Sequence, residues 1–472
     1  MKHIKPLPLL LVTLLSAAPF AAQAQFGNLL QQLQKMQVPN QGGGGQMPSM
    51  GGSGGGKGGG LKPSDQWCNE QAGVLARMKI DKGVIGSEFK VADLESLQDE
   101  FQKAFRRANI SKTFPNAKFF QASFETAKVR AIYDNFLAFP EPDTLAALIQ
   151  LSRANDQQER SDALMALVFL HLQAPELSVS KDRWRELYQK AISTEHFTAL
   201  VFRARLNAYG EFGPKNLNQA TGDLVTAGNL KSRYRQTDGG APKEFDDRNY
   251  EEIHLATARD LYFNEPNMPY RQQWQGPAQS GMQIEQAQQA YARQLPNTRV
   301  GKMYAEANKI NQESIEIGNN IIRKTQGGNQ LAGQIESLKS LRESAPGEKP
   351  VFEDVSPEVQ AMQIKMFAKV GTVDEEQKKM LIQAQEKRLV AQGIISQSYS
   401  EIAQSMVATA MSGDIGKMLA AKPALTQSMN ALIQSCVIST KWEQAMRAKD
   451  IPKVEAKKAE TAVADLSKKY TD

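Results

Sequence analysis

The sequence predicts an all-α fold, a solenoid of helical hairpins followed by a bundle of long helices. Three observations predict it. From Leu61 onward, apolar residues recur at spacings of three and four, the period of a helix face. No run alternates apolar and polar residues between turn signals, as a half-buried strand would. A helix-turn-helix pattern occurs twice, with ALMALVFLHL opening at Ala163 and ALVFRARLNAY at Ala199, 36 residues later.

The first 60 of the 472 residues stand apart from that pattern. In MKHIKPLPLLLVTLLSAAPFAAQA, Lys2 and Lys5 precede an apolar run from Leu7 to Ala18, and Ala22-Gln23-Ala24 has the small-x-small form that signal peptidase needs. Residues 1–24 therefore read as a secretory signal cleaved after Ala24. The run is too short to span a hydrocarbon layer of about 30 Å. Gln25 stands where lipid attachment needs a cysteine, so the expectation is an exported, unlipidated, periplasmic protein. Loss of Lys2 and Lys5 lowers the formal net charge from +6 to +4. Acids and bases are interleaved along the rest of the chain, without the basic, aromatic-bearing face that nucleic acid requires.

Residues 25–60 read as a short amphipathic segment on a leash. Phe26, Leu29, Leu30, Leu33 and Met36 fall on one side of a helix that Pro39 stops, and 12 of the 19 residues from 42 to 60 are glycine. A lone helix of about 13 residues is marginal in water. The segment 26–38 is therefore expected to fold on a partner's groove or at a membrane surface, or else to dock on its own protein or stay disordered.

The helical-hairpin domain is expected over 61–264. Leu94, Leu97, Phe101, Ala104, Phe105 and Ala108 form one stripe. Asn116 caps a helix carrying Phe120, Phe124, Ala127 and Ala131, and Pro140 and Pro142 end it. The second repeat contains YGEFGPKN, residues 209–216. A phosphate loop would need a preceding strand, and Ser or Thr where Asn216 follows Lys215. The turn of a hairpin needs only that Gly210 end one helix and Pro214 open the next segment. These residues resemble the Sel-one-like repeat, a relative of the tetratricopeptide repeat. Ala199, Ala204, Gly210, Glu211, Pro214, Lys215, Ala220 and Ala227 sit at its pattern positions, with Phe212 in place of the second turn glycine. The resemblance covers 163–234 and implies stacked hairpins that present a concave surface to other proteins.

Residues 265–298, rich in proline and glutamine, read as an irregular linker, and 299–472 as a long-helix bundle or coiled-coil hairpin. Ala307, Ile310, Ile317, Ile321, Leu331, Ile335 and Leu338 suit a coiled-coil seam, interrupted by Lys324 and Gly327-Gly328. Two further helices are expected, one over about 374–411 and one from Pro423 to about 447.

No residue set has catalytic or metal-binding spacing, and no cofactor is expected. His171, His196 and His254 each lie out of helical reach of a cysteine or another histidine. The acids Asp246, Asp247, Glu251 and Glu252 lack the order of a calcium loop and suit a helix start. Ser280-Gly281-Met282-Gln283 followed by Ala290-Tyr291-Ala292 faintly resembles lytic transglycosylases, which would make Glu265 the general acid. The second half is similar in composition to periplasmic pilus-assembly subunits of type IV secretion systems. Cys68 and Cys436 are expected to pair in an oxidising compartment. Arg205 and Tyr209, four apart on one helix face, are the expected binding residues. The reading as a whole is a non-enzymatic periplasmic interaction or assembly scaffold with protein partners in the cell envelope, capable of oligomerising. A pilus-assembly subunit and a lytic-transglycosylase-like enzyme are its alternatives.

Overall fold

Helices pack directly on helices in a computed structural model of the chain. It describes residues 74–107, 124, 126–180, 182–210, 213–237, 250–324, 333–335, 337, 340, 352, 357–412 and 414–470. The expected all-α class is what it shows. The strand-like pairing found among the described residues is one antiparallel bridge between Phe89 and Ser178. None of their helices is long and apolar enough to cross a membrane. The expected signal (1–24), the 26–38 segment, the glycine-rich stretch, Asn116, Asp246 and Asp247 lie outside the described residues.

The first half is built from α1 (Leu97–Arg107), α2 (Ala127–Ala138), α3 (Pro142–Leu151), α4 (Gln157–Gln173), α5 (Arg183–Ser193), α6 (Phe197–Tyr209), α7 (Leu217–Thr237) and α8 (Tyr250–Asn264). Pro142 opens α3, where its missing N–H costs nothing. Asp156 starts α4 by accepting a hydrogen bond from the Glu159 N–H at 2.8 Å. From Ala163 to Leu172, α4 is apolar on almost every side, so it can only sit inside, and every residue of that run is buried. Around it Phe101 meets Phe136 edge to face at 4.9 Å, and Tyr188 of α5 donates to the Ala199 carbonyl at 2.8 Å.

Gly210 and residues 213–216 belong to the turn of a hairpin between α6 and α7. Gly210 takes φ +71°, a left-handed conformation that a side chain would strain, and its N–H closes on the Leu206 carbonyl. The Asn216 N–H then donates to the Asn207 carbonyl at 2.8 Å and starts α7. The small residues Ala204, Ala208 and Ala220 are buried in one cluster, which is where the two helices approach each other.

The loop ahead of α1 is held by buried polar groups. Glu88 is fully buried and takes two hydrogen bonds from Arg183, Nε at 2.7 Å and Nη2 at 2.6 Å. His171 stacks on Phe89 at 4.2 Å and bonds Ser178 Oγ through Nδ1 at 2.6 Å. Glu88 lies 3.9 Å from His171 Nε2, but its carboxylate is already bound to Arg183. Burial, helped by the Arg183 charge, therefore lowers the His171 pKa to about 3. Once unfolded, the ring titrates at its ordinary 6.5, so between 6.5 and about 3 the unfolded chain holds the extra proton. Stability is thus expected to fall as pH drops through that window, by about 1.4 kcal/mol per pH unit for one group. Urea unfolding from pH 7 to 4 checks this: His171→Gln should flatten the slope, and an unchanged slope would acquit the histidine.

Residues 265–298 correct the expected irregular linker. Most of them form α9 (Arg271–Gln294), followed by a 3-10 turn at Leu295–Asn297. Trp274, Ala278 and Gly281, spaced four and three, are its buried face against α8. Pro277 lies inside the helix, and the loss of one backbone bond did not end it. The remaining helices are α10 (Arg299–Lys324), α11 (Pro357–Lys369), α12 (Glu375–Met411), α13 (Ile415–Arg447) and α14 (Ala456–Lys469).

Within α10 the buried stripe is Ala307, Asn311, Ser314, Ile315, Gly318, Ile321 and Ile322, with Ile310 and Ile317 partly exposed. This is a broad face shared by α11 and α12; Leu331, Leu338 and Gly327-Gly328 of the expected seam lie outside the described residues. Pro423 does not begin a helix, because α13 starts at Ile415 with Asp414 as its cap. The carbonyl that Pro423 leaves without an intrahelical donor, that of Leu419, accepts from Gln288 Nε2 of α9 at 3.3 Å.

The two halves are joined by more than chain. Ala138 and Phe139, at the end of α2, are buried in one cluster with Phe367 of α11 and with Ile438 and Trp442 of α13. Beside it Lys441 reaches Glu141 at 2.6 Å, and farther along Lys422 reaches Glu252 at 3.0 Å. Cys436, buried on α13, is disulfide-bonded, while Cys68, the other cysteine of the chain, lies outside the described residues.

Candidate functional site

The two residues expected to bind a partner lie mostly inside. Arg205 is 2% exposed, so it is an interior contact of the α6–α8 hairpins and not a docking residue. Its Nε donates to Thr257 Oγ1 at 3.1 Å and its Nη1 pairs with Asp260 at 2.9 Å. Burial lowers its pKa from the usual guanidinium value, with Asp260 opposing. Tyr209 packs half-buried beside the Ala204 cluster, and its hydroxyl accepts from Asn264 at 3.4 Å. The helix face that carries Arg205 is covered by α8.

From Arg205 a line of charge runs outward. Asp260 also accepts from Arg259 (Nε at 2.9 Å, Nη2 at 2.6 Å), and Arg259 Nη1 reaches Glu285 of α9. Two guanidiniums and two carboxylates thus balance along the α8–α9 junction. At its outer end lies an open cleft of about 320 Å³, lined by Arg259, Asp260, Phe263, Asn264, Met282 and Glu285. Phe263 is 52% exposed, and Met282 is exposed across from it. The cleft therefore offers an apolar pair beside a neutralised polar rim, suited to an apolar anchor with a hydrogen-bonding group next to it.

The walls are held close. A Cβ on Gly281 would lie 2.6 Å from the Leu255 carbonyl oxygen, so α8 and α9 touch backbone to backbone there. At the hairpin's tip, Arg271 Nη1 donates to the Glu265 carbonyl at 3.0 Å and also bonds the Tyr262 carbonyl, and its guanidinium covers the Tyr262 ring. Tyr270 beside it is held at φ +53° with its ring 72% exposed. A non-glycine residue in that region is uncommon and marks this tip as a surface feature the fold maintains at a cost.

The other polar residues singled out in sequence serve the fold. His196 accepts the Thr198 N–H through Nδ1 at 3.2 Å, so its proton is on Nε2, which donates to Asp162 at 2.9 Å. His254 bonds the Leu224 carbonyl at 3.0 Å. Glu265 is buried and paired with Lys215. Glu252 is paired with Lys422.

The sequence offered Met282 only within a transglycosylase-like motif and did not single out Phe263, although a signal for Phe263 exists. Tyr262 and Phe263 are adjacent on a helix and point about 100° apart, so both cannot face one core. No protein-family model matches the chain, and neither the curated proteins nor the solved structures compared with it include a match.

Proposed function

We propose that this chain is a non-enzymatic interaction or assembly scaffold, exported to the bacterial periplasm, whose α8–α9 hairpin presents the contact surface to an envelope protein. The observation that carries the reading is the exposed pair Phe263 and Met282 in the α8–α9 cleft. Water-exposed phenylalanine beside a rim whose charges are already paired favours an apolar partner surface over a charged small molecule. Export rests on the Lys2, Lys5 and Ala22-Gln23-Ala24 pattern. The resemblance of 163–234 to Sel-one-like repeats supports the same use, since such hairpins stack to display a surface.

Burying one phenylalanine side chain is worth about 1.5–3 kcal/mol, so Phe263→Ala should weaken partner capture by roughly 10- to 100-fold. A photo-crosslinking side chain at position 282 in the cell envelope should trap one partner, and Phe263→Ala should abolish the adduct with the circular dichroism melt unchanged. A collapsed melt would make Phe263 structural. If the purified protein instead solubilised peptidoglycan and Glu265→Gln stopped it, the scaffold reading would be overturned.

A further inference from the structure

A second feature lies far from the cleft, between α12 and α13. On α12, Gln385, Arg388 and Gln392 recur at three and four; on α13, Cys436, Ser439 and Trp442 recur at three. The two sets face each other. Gln385 Nε2 donates to the Ser439 carbonyl at 3.4 Å, Gln392 Nε2 lies 3.6 Å from Cys436 Sγ, and the Arg388 guanidinium sits 4.2 Å over the Trp442 ring.

Arg388 is 2% exposed, and its partners are neutral. Nε donates to Gln360 Oε1 of α11 at 3.3 Å, while Nη1 and Nη2 make no hydrogen bond among the described residues. Among the described residues no carboxylate pairs with it. Glu313 pairs with Lys387 at 2.6 Å and Glu443 with Lys453 at 3.4 Å. Burial lowers its pKa to about 9, which leaves it protonated at neutral pH. A buried charge with no counter-charge costs several kcal/mol, more than a ring face returns. The same seam holds the Ser439 hydroxyl, also without a hydrogen-bond partner among the described residues.

We propose that this seam is an anion site in which Arg388 Nη1 and Nη2, with the Ser439 hydroxyl, hold one small monovalent inorganic anion of the chloride class. One guanidinium balances one negative charge. Gln385, Arg388 and Ser439 are all buried, so only a small ion suits the seam. Trp442 and Gln360 fix the guanidinium plane, so the site is pre-oriented.

The test is the thermal midpoint of the full-length protein against chloride at constant ionic strength, with gluconate as the balancing anion. Chloride and bromide are both expected to raise it by a few degrees between about 1 and 300 mM, linearly in the logarithm of concentration once the site fills. Arg388→Met, of similar volume and no charge, should remove the dependence while melting no lower than the wild type in gluconate. A wild-type midpoint indifferent to chloride, or a variant with the same dependence, overturns the site. Should Arg388→Met fail to fold, crystals grown in bromide decide the matter: an anomalous peak within hydrogen-bond distance of Arg388 supports it, and its absence refutes it.

Discussion

Asp162→Ala is expected to lower stability by about 3–5 kcal/mol, the size of effect found when one partner of a buried charged network is removed. Asp162 is fully buried on α4 and serves three donors at once. Its Oδ2 accepts the Thr126 N–H at 2.7 Å and the Thr126 hydroxyl at 2.6 Å, and its Oδ1 accepts from His196 at 2.9 Å. Thr126 precedes α2 and His196 precedes α6, so one carboxylate pins the starts of two helices to the middle of a third. Alanine strands a backbone N–H, a hydroxyl and an imidazole N–H away from water, and each loses its full desolvation compensation. Asp162→Asn keeps an acceptor for one or two of them and should lose about half as much. Urea titration followed by tryptophan fluorescence measures both, and a loss under about 1 kcal/mol for alanine would show that the network relaxes into water.

Gly301→Ala should cost about 3 kcal/mol or more, because the added Cβ would lie 2.0 Å from the Leu295 carbonyl oxygen and 2.7 Å from Pro296 Cα. Nothing there can yield cheaply. The Leu295 carbonyl already holds the Thr298 N–H at 3.0 Å and the Thr298 hydroxyl at 2.7 Å, and that hydroxyl accepts the Gly301 N–H at 3.2 Å. Relief requires lifting the α9–α10 turn as a unit, with buried Leu295, Met303 and Tyr304 beside it. Gly222, exposed inside α7 with open space where a Cβ would stand, is the control: Gly222→Ala should gain about 0.5–1 kcal/mol from helix propensity. Equal melting shifts for the two would mean that the close approach at Gly301 is not rigid.

Helix periodicity was readable where the apolar residues are large. Phe101 and Ala104 on α1, and the run Ala163 to Leu172 on α4, are buried as their spacing requires. The expected helix over about 374–411 is α12, Glu375–Met411. Legibility failed at α9, whose buried face is made of Trp274, Ala278 and Gly281 among glutamines, a pattern with little apolar contrast. It failed again at Pro277 and Pro423, which tertiary contacts hold inside helices. The cleft was hidden for a different reason: a helix face such as that of Arg205 and Tyr209 is exposed or covered according to a helix some 50 residues later. Arg388 carried a local hint, since its helical neighbours Ala384, Gln385, Ala391 and Gln392 include no acid to pair with.

The packing of Ala138 and Phe139 against Trp442 sets the order of events during synthesis. A chain made from the amino terminus exposes this apolar end of α2 until α13 exists, and the Lys441–Glu141 contact spans 300 positions. Contacts of such separation form late and slow the final step. The early half must therefore wait as an incomplete, sticky intermediate for its last helices. A holding chaperone during that interval, and a maturation rate that falls steeply when the chain is cut before α13, are the kinetic signature of this architecture.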